Sequence, residues 1–139
     1  MYNPFTIEGK TVMVTGAGGG IGRATAVSCA KMGATIVVTD INETTLFETL
    51  DILKKESPLN HQMFVADLTK QDELDSLVGE TPSLDGLVCN AGISKVLPIQ
   101  FVNEEDMGRI CSINAFAPMY LTQKLFKKKK ISPKKIWKH

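Results

Sequence analysis

Residues 15–22 have the sequence TGAGGGIG, and they follow the apolar run Val12-Met13-Val14 directly. Five of these eight residues are glycine, so another group can approach the backbone closely. The following residues favour a helix, whose free N–H groups and dipole attract an anion. The spacing is G-x-x-x-G-x-G over Gly16, Gly20 and Gly22. The stretch predicts a pyrophosphate site, and the alternative is a merely tight strand-to-helix turn.

Around this turn, strand-like and helix-like segments alternate four times. The alternation predicts an α/β fold with a parallel sheet, helices on both faces and right-handed crossovers. Asn42 and Asn103 are predicted N-caps, Thr69 with Asp72 resembles a capping box, and Pro58 ends the second helix. The four predicted strands are KTVMVTG (10–16), ATIVVTD (34–40), HQMFVAD (61–67) and LDGLVCNAG (84–92).

Asp40 ends the second predicted strand, twenty residues after Gly20. A carboxylate at this place can accept hydrogen bonds from both hydroxyls of an adenosine ribose. It would repel a 2′-phosphate, and no basic residue stands at 17–21 or directly after Asp40. We therefore expect NAD rather than NADP, the alternative being a solvated acid at a strand end. Arg23 is interpreted as a solvent-facing helix residue rather than a phosphate ligand.

Five motifs between residues 9 and 126 carry a family resemblance. TGAGGGIG, VVTD, VADLT, NAG and SINAFAPM occur in the order and spacing typical of the short-chain dehydrogenase/reductase family. The chain resembles most the 3-oxoacyl-carrier-protein-reductase-like members. The resemblance implies a Rossmann-like, doubly wound parallel sheet and the oxidation of an alcohol, or the reduction of a ketone, by hydride transfer to or from the nicotinamide of NAD(P).

The same resemblance implies a set of cofactor-binding residues. The glycine turn would hold the pyrophosphate, Asp40 the adenosine ribose, and the Asp67-Leu68 pair would flank the adenine. The NAG motif would stabilise the centre of the sheet and border the ribose on the nicotinamide side. The residues so implied are Gly16, Gly18, Gly19, Gly20, Ile21, Gly22, Asp40, Ile41, Asp67, Leu68, Asn90, Ala91 and Gly92.

Asn114 is the candidate catalytic residue of this chain. It lies on the apolar stripe of the long predicted helix, where a polar side chain needs a buried partner. Pro118, four residues later, has no N–H, so a kink is predicted that frees the Asn114 carbonyl for a water. The resemblance implies the catalytic-helix asparagine of the family. The alternative is a structural asparagine beside a proline kink.

The Tyr-x-x-x-Lys pair and the serine that perform hydride transfer in the family would lie beyond a fifth strand. This chain has only twenty-five residues after Asn114. Tyr120 and Lys124 have the spacing, but they lie in the same helix as Asn114, where the family has an apolar residue. We interpret the spacing as a coincidence and Tyr120 as a packing or interface residue.

The last residues differ in composition from the rest. Residues 1–123 hold 8 Lys or Arg and 15 Asp or Glu, whereas residues 124–139 hold 8 Lys and no acid. We therefore divide the chain into a dinucleotide-binding part, 1–126, and a basic tail, 127–139, atypical of the family. KKIW (134–137) resembles the start of a fifth strand, so we expect a fold truncated after about four strands and the long fourth helix, which leaves the fourth strand with an uncovered edge.

The composition limits the remaining classes. Hydrophobic residues make up 43% and charged residues 22%, as in soluble globular proteins, and no apolar run approaches a membrane span. The first ten residues lack the pattern of a secretory signal. Three cysteines without metal-like spacing predict buried thiols in a reducing cytoplasm and no metal site. The lysines predict a solvated helix end, with a patch for nucleic acid or anionic lipid as the weaker alternative.

Three functional hypotheses remain. In the first, a full-length form exchanges hydride between NAD(H) and a small alcohol or ketone, as a possible homo-oligomer, with neither nucleic acid nor membrane as partner. In the second, the 139 residues are an inactive dinucleotide-binding half-domain or a remnant. In the third, a separate chain supplies the missing strands and the Tyr-Lys pair.

Overall fold

A computed structural model describes residues 3–131. Within them, strands and helices alternate as the sequence predicted. A 3₁₀ turn, Ile99–Phe101, precedes the fourth helix, and a π-helical segment, Ser112–Phe116, joins the fourth helix to the fifth. The elements are β1 Thr11–Thr15, α1 Gly20–Lys31, β2 Thr35–Asp40, α2 Glu43–Glu56, β3 Gln62–Val65, α3 Gln71–Glu80, β4 Gly86–Val88, α4 Glu104–Cys111 and α5 Ala117–Lys127.

The four strands form one parallel sheet in the order β3-β2-β1-β4. Val12 of β1 lies opposite Ile36 of β2 on one side and Gly86 of β4 on the other. The chain passes from β3, at one edge, to β4, on the far side of β1. The strand order therefore reverses between β1 and β4, and ligands of open α/β sheets bind at the carboxyl ends of the strands at such a point.

Alternate side chains of the central strands enter two separate cores, because successive residues of a strand point to opposite faces. Val12, Val14, Ile36 and Val38 pack with α1 and α2 on one face. On the other face, buried residues of β1 and β2 pack with α3 and α5; this second core comprises Met13, Val37, Ala66, Leu74, Leu77, Val78, Leu84, Leu121 and Leu125. Helices on both faces confirm the predicted doubly wound sheet.

The helix caps are partly as predicted. Asn42 accepts a hydrogen bond from the N–H of Thr45, and Asn103 accepts one from Asp106, so both predicted N-caps are confirmed. The capping box at Thr69 is wrong, because α3 begins at Gln71 and its N-cap residue provides no side-chain bond. The Thr69 hydroxyl binds the nearby carboxylate of Asp67 instead.

The long helix does not simply kink at Pro118. It widens into the π-helical segment, in which the Ala117 N–H donates to the carbonyl of Ser112, five residues back. A proline that supplies no N–H to the residue four positions earlier disrupts the α-helical ladder, and a π turn accommodates this disruption without ending the helix. The predicted local disturbance is therefore present, in a different form.

The prediction of buried thiols is wrong. Cys29 is partly buried against the α1 side of the sheet, while Cys89 and Cys111 are exposed, and all three are free. The sequence pattern misled because Cys89 follows the end of β4 and Cys111 ends α4, and at both positions the side chain stays in part at the surface.

Further predictions concern the C-terminal KKIW segment, the edge of the sheet at β4, membrane-spanning helices and metal sites. The KKIW segment, predicted to begin a fifth strand, lies outside the described residues. Within residues 3–131, β4 pairs with β1 alone, no helix is long and apolar enough to cross a membrane, and no three His, Cys, Asp or Glu side chains converge as metal ligands.

Candidate functional site

A cleft of about 400 Å³ opens at the carboxyl ends of β1, β2, β3 and β4. It brings together most of the residues predicted from sequence, namely Gly16, Gly19, Asp40, Ile41, Asp67, Leu68, Asn90, Ala91 and Gly92. Gly18, Gly20, Ile21, Gly22 and Asn114 do not line it. The lining residues that sequence reasoning missed are Ala66, Thr69, Ile93, Arg109 and Ile113.

Gly16 and Gly22 are required by close backbone contacts within the protein. Gly16 has φ +63°, and a Cβ there would lie 2.7 Å from the Cα of Ala91. A Cβ on Gly22 would collide with the Gly16 carbonyl and with the side-chain amide of Asn90. The turn after β1 therefore packs directly on the turn after β4. Gly19 has open space around it and lines the cleft.

Thr15, at the end of β1, links these two turns by hydrogen bonds. Its buried hydroxyl accepts hydrogen bonds from the N–H groups of Asn90 and Ala91, both at 3.0 Å. The Asn90 side chain donates in return to the carbonyl of Gly16 at 3.1 Å. These three bonds fix the floor of the cleft. A threonine that ends a strand before a glycine was the available signal, and sequence reasoning missed it.

Asp40 lies in the cleft with both carboxylate oxygens engaged. One oxygen accepts the N–H of Gly18 at 2.8 Å, and the other accepts the N–H of Asn42 at 3.2 Å. An ionised carboxylate has about four acceptor positions, so two remain for a ligand. Asp40 therefore ties the glycine turn to the end of β2 and still presents acceptors to the cleft.

Arg23 is not the solvent-facing residue predicted from sequence. Its Nη2 donates to the carbonyls of Gly18 at 2.7 Å and Thr45 at 2.9 Å, and its Nε donates to the Thr49 hydroxyl at 2.8 Å. An ion pair with Glu48, at 3.1 Å, completes these contacts, and the side chain is 27% exposed. The prediction failed because α2 packs against α1 here, and the sequence of α1 alone does not reveal this packing.

Asp67 and Leu68 form one wall of the cleft. The Asp67 carboxylate accepts hydrogen bonds from the Thr69 hydroxyl at 2.6 Å and from the Thr69 N–H at 3.0 Å. The Thr69 hydroxyl bond is the main cause that lowers the pKa of Asp67 below its ordinary value. The carboxylate is therefore ionised at neutral pH and acts as an acceptor at this end of the cleft.

Arg109 and Ile113 of the fourth helix region line the cleft as well. They are four residues apart, so they lie on the same helix face. Arg109 is exposed, and it is the one basic residue among those that line the cleft. Arg109 stands four residues before Ile113, the neighbour of Asn114. This spacing was the signal in the sequence, and it was missed.

Asn114 makes two hydrogen bonds with the backbone of one residue. Its Oδ1 accepts the N–H of Ile93 at 2.8 Å, and its Nδ2 donates to the carbonyl of Ile93 at 2.8 Å. The residue is exposed, so the prediction of a buried partner is wrong. The pair anchors the chain that leaves Gly92, and Asn114 thus fixes the rim of the cleft from outside it.

Tyr120 and Lys124 do not line the cleft. The Lys124 ammonium is bound to the carboxylate of Asp75 on α3 at 2.6 Å, and Tyr120 is 47% exposed. The interpretation of their spacing as a coincidence stays a prediction.

The parallel sheet in the order β3-β2-β1-β4, covered on both faces and with a glycine turn at the point of strand reversal, defines a Rossmann-like α/β protein. Comparison with known protein families identifies the family within this fold class. The family model described as short chain dehydrogenase matches residues 10–134, and the chain belongs to this family.

Known relatives are consistent with this family. The chain is 37% identical to a 3-oxoacyl-[acyl-carrier-protein] reductase of Rickettsia bellii over 88% of this chain and 49% of that protein. It is 36% identical to a diacetyl reductase [(S)-acetoin forming] of Staphylococcus epidermidis over 80% of this chain and 44% of that protein. The chain thus spans about half the length of the curated relatives it matches.

Two crystal structures share the fold over most of this chain. A short chain dehydrogenase from Mycobacterium smegmatis superposes with a TM-score of 0.80 and 32% identity, over 86% of this chain and 52% of that one. An Escherichia coli CFT073 protein crystallised with NADPH gives a TM-score of 0.79 and 29% identity, over 86% and 53%.

Proposed function

We propose that this chain binds NAD(H) as the cofactor-binding part, residues 1–126, of a short-chain dehydrogenase/reductase. The observation that carries the proposal is the Asp40 carboxylate, which lies in the cleft beside the glycine turn and keeps acceptors available. Such a carboxylate binds the paired hydroxyls of an adenosine ribose. The basic segment 127–139 is not part of this binding unit in the proposal.

The remaining subsites follow the walls of the cleft. The turn of Gly16–Gly22 holds the pyrophosphate, with Gly19 at the cleft surface. The ionised Asp67 and the apolar Leu68 flank the adenine, and Asn90, Ala91 and Gly92 border the second ribose. NAD(H) is preferred over NADP(H) because Asp40 repels a 2′-phosphate, although two related proteins were crystallised with NADPH and with NADP.

The test is a titration of the chain with NADH and NADPH, followed by cofactor fluorescence. We expect Asp40→Ala to weaken NADH more than NADPH, so that the ratio of the two dissociation constants moves towards NADPH. Asp51→Asn, an exposed acid on α2, is the matched control and should leave the ratio unchanged. Equal NADH affinity of the wild type and Asp40→Ala would contradict the assignment of Asp40.

The proposed reaction of a full-length form is hydride exchange between the nicotinamide and the carbon of a small alcohol or ketone. Asn114 would belong to the proton relay, as in the family, with its main-chain carbonyl, which receives no N–H from Pro118, holding a water. Because Tyr120 and Lys124 form the only Tyr-x-x-x-Lys spacing in the sequence and lie away from the cleft, the 139-residue chain would bind dinucleotide without turnover. NADH oxidation that disappears in Tyr120→Phe would overturn this part.

We expect the protein to act in the cytoplasm, since its three cysteines are free. Its partners would be the dinucleotide, a small alcohol or ketone and, for a full-length form, further copies of itself. Neither nucleic acid nor a membrane is among them in this proposal; deletion of residues 127–139 should leave retention on a nucleic-acid column unchanged.

A further inference from the structure

The peptide groups around Gly18 are held on both sides by charged side chains. The N–H of Gly18 donates to the Asp40 carboxylate at 2.8 Å, and its carbonyl accepts from the Arg23 guanidinium at 2.7 Å. Hydrogen bonds with one ionised partner are roughly twice as strong as neutral ones. The middle of the glycine turn is therefore fixed by two opposite charges that come from different elements, β2 and α1.

The preceding carbonyl is held by a neutral hydroxyl that Arg23 in turn contacts. The hydroxyl of Thr49, on α2, donates to the carbonyl of Ala17 at 2.7 Å and accepts from Arg23 Nε at 2.8 Å. Arg23 also reaches the α2 backbone at the Thr45 carbonyl. Two consecutive carbonyls of the turn are thus engaged by α1 and α2, while Ala17 and Gly18 are not among the residues that line the cleft.

The orientation of these carbonyl groups affects how well the turn can bind an anion. Carbonyl oxygens carry partial negative charge and would repel a pyrophosphate, whereas backbone N–H groups attract it. We propose that Arg23 is the positioning residue of the dinucleotide site: with Thr49 it holds the carbonyls of Ala17 and Gly18 on the side of α2. The N–H of Gly19, which points away from the Gly18 carbonyl in the same trans peptide group, is thereby presented to the pyrophosphate. The inference rests on the proposed function and extends it to a residue outside the cleft.

Arginine is specifically required here. Its planar guanidinium reaches the Gly18 and Thr45 carbonyls and the Thr49 hydroxyl with two different nitrogens, and a lysine ammonium on a flexible stem cannot reproduce this fork. The ion pair between Arg23 and Glu48 lies near the solvent, since the Glu48 side chain is 57% exposed. An exposed pair of this kind contributes little, so we expect Glu48→Gln to behave like the wild type.

The first measurement needs no ligand. Amide hydrogen exchange of the peptide covering residues 15–22 is compared between the wild type, Arg23→Lys and Arg23→Met. Both variants should exchange this peptide faster, by about tenfold if roughly one charge-assisted bond is lost, while peptides of α3 stay protected. Lys55→Met, which removes an exposed cation from α2, is the matched control. Unchanged exchange of the turn in Arg23→Met overturns the proposal.

The second measurement separates positioning from folding. NADH, which has the pyrophosphate, and adenosine, which lacks it, are titrated against the same variants. Loss of NADH affinity by about tenfold with adenosine unaffected supports the proposal, whereas equal loss of both ligands shows a merely structural role and overturns it. If Arg23→Met does not fold, Thr49→Val is measured in its place. A wild type that binds neither ligand refutes the proposed function, and hydrogen exchange still decides the role of Arg23.

Discussion

The Asp40 carboxylate accepts a 2.8 Å hydrogen bond from the backbone N–H of Gly18, 22 positions earlier in the chain. The acid at the end of β2 therefore belongs to the same structural unit as the glycine turn after β1. A substitution at Asp40 removes a candidate ribose ligand and also releases the turn. For this reason, the ratio of NADH to NADPH affinity, rather than NADH affinity alone, isolates the role of the charge.

Gly22→Ala should lower the free energy of unfolding by about 1–3 kcal/mol, because the new Cβ would overlap the Gly16 carbonyl and the Asn90 amide. Gly79→Ala is the matched control in α3, where a Cβ meets nothing within 4 Å. Alanine there should stabilise the helix by about 0.5–1 kcal/mol. Urea denaturation checks both, and a neutral Gly22→Ala would contradict the close packing of the two turns.

Asn90→Ala should lower the free energy of unfolding by about 1 kcal/mol, since the carbonyl of Gly16 loses its donor at 3.1 Å. The exposed Asn60 provides the comparison, and Asn60→Ala should change the stability by no more than about 0.5 kcal/mol. Equal urea midpoints of the two variants would mean that the Asn90 bond does not hold the turns together.

Leu121→Ala should cost about 3 kcal/mol, because the side chain is fully buried in the core between α3, α5 and the sheet. Met119, two residues earlier in the same helix, is 67% exposed, and Met119→Ala should be nearly neutral. Thermal denaturation of both variants checks that α5 packs with the face described. Similar losses in the two would place the packed face of α5 elsewhere.

His61 should make the stability depend on pH. Its buried Nδ1 accepts the N–H of Ile36 on β2 at 3.0 Å, and its Nε2 lies 2.8 Å from the Ser57 hydroxyl. Burial lowers the pKa of His61 below its ordinary value, since it disfavours the charged ring. The unfolded chain then binds a proton more readily than the folded one, so this contribution is complete above about pH 6.5 and is lost as the pH falls through the lower folded value.

The measurement for His61 is urea denaturation between pH 7.5 and pH 5. His61→Asn, which keeps an acceptor, should flatten the decrease seen in the wild type, while His139→Gln, at the other histidine of the chain, should not. A decrease of the same size in wild type and His61→Asn would exclude His61 as its source.

Local signals in the sequence determined most of the fold. β-branched runs that end in glycine or an acid predicted the strands, and Asn42 and Asn103 predicted helix starts, because strand propensity and capping act within a few residues. The glycine turn and Asp40 were predicted to bind two parts of one dinucleotide, since the carboxyl ends of parallel strands share one edge of the sheet. Five motifs in order indicated the family, which the match over residues 10–134 confirms.

Tertiary structure alone decided the contacts between elements distant in sequence. The role of Arg23 depends on α2 packing beside α1, and the place of Arg109 in the cleft depends on how the fourth helix region lies across the strand ends. The burial of His61 and the exposure of Asn114 were also decided by tertiary contacts, since their partners are backbone groups 25 and 21 positions away. Sequence patterns report local periodicity, whereas these side chains were fixed by which faces meet when the sheet and helices pack.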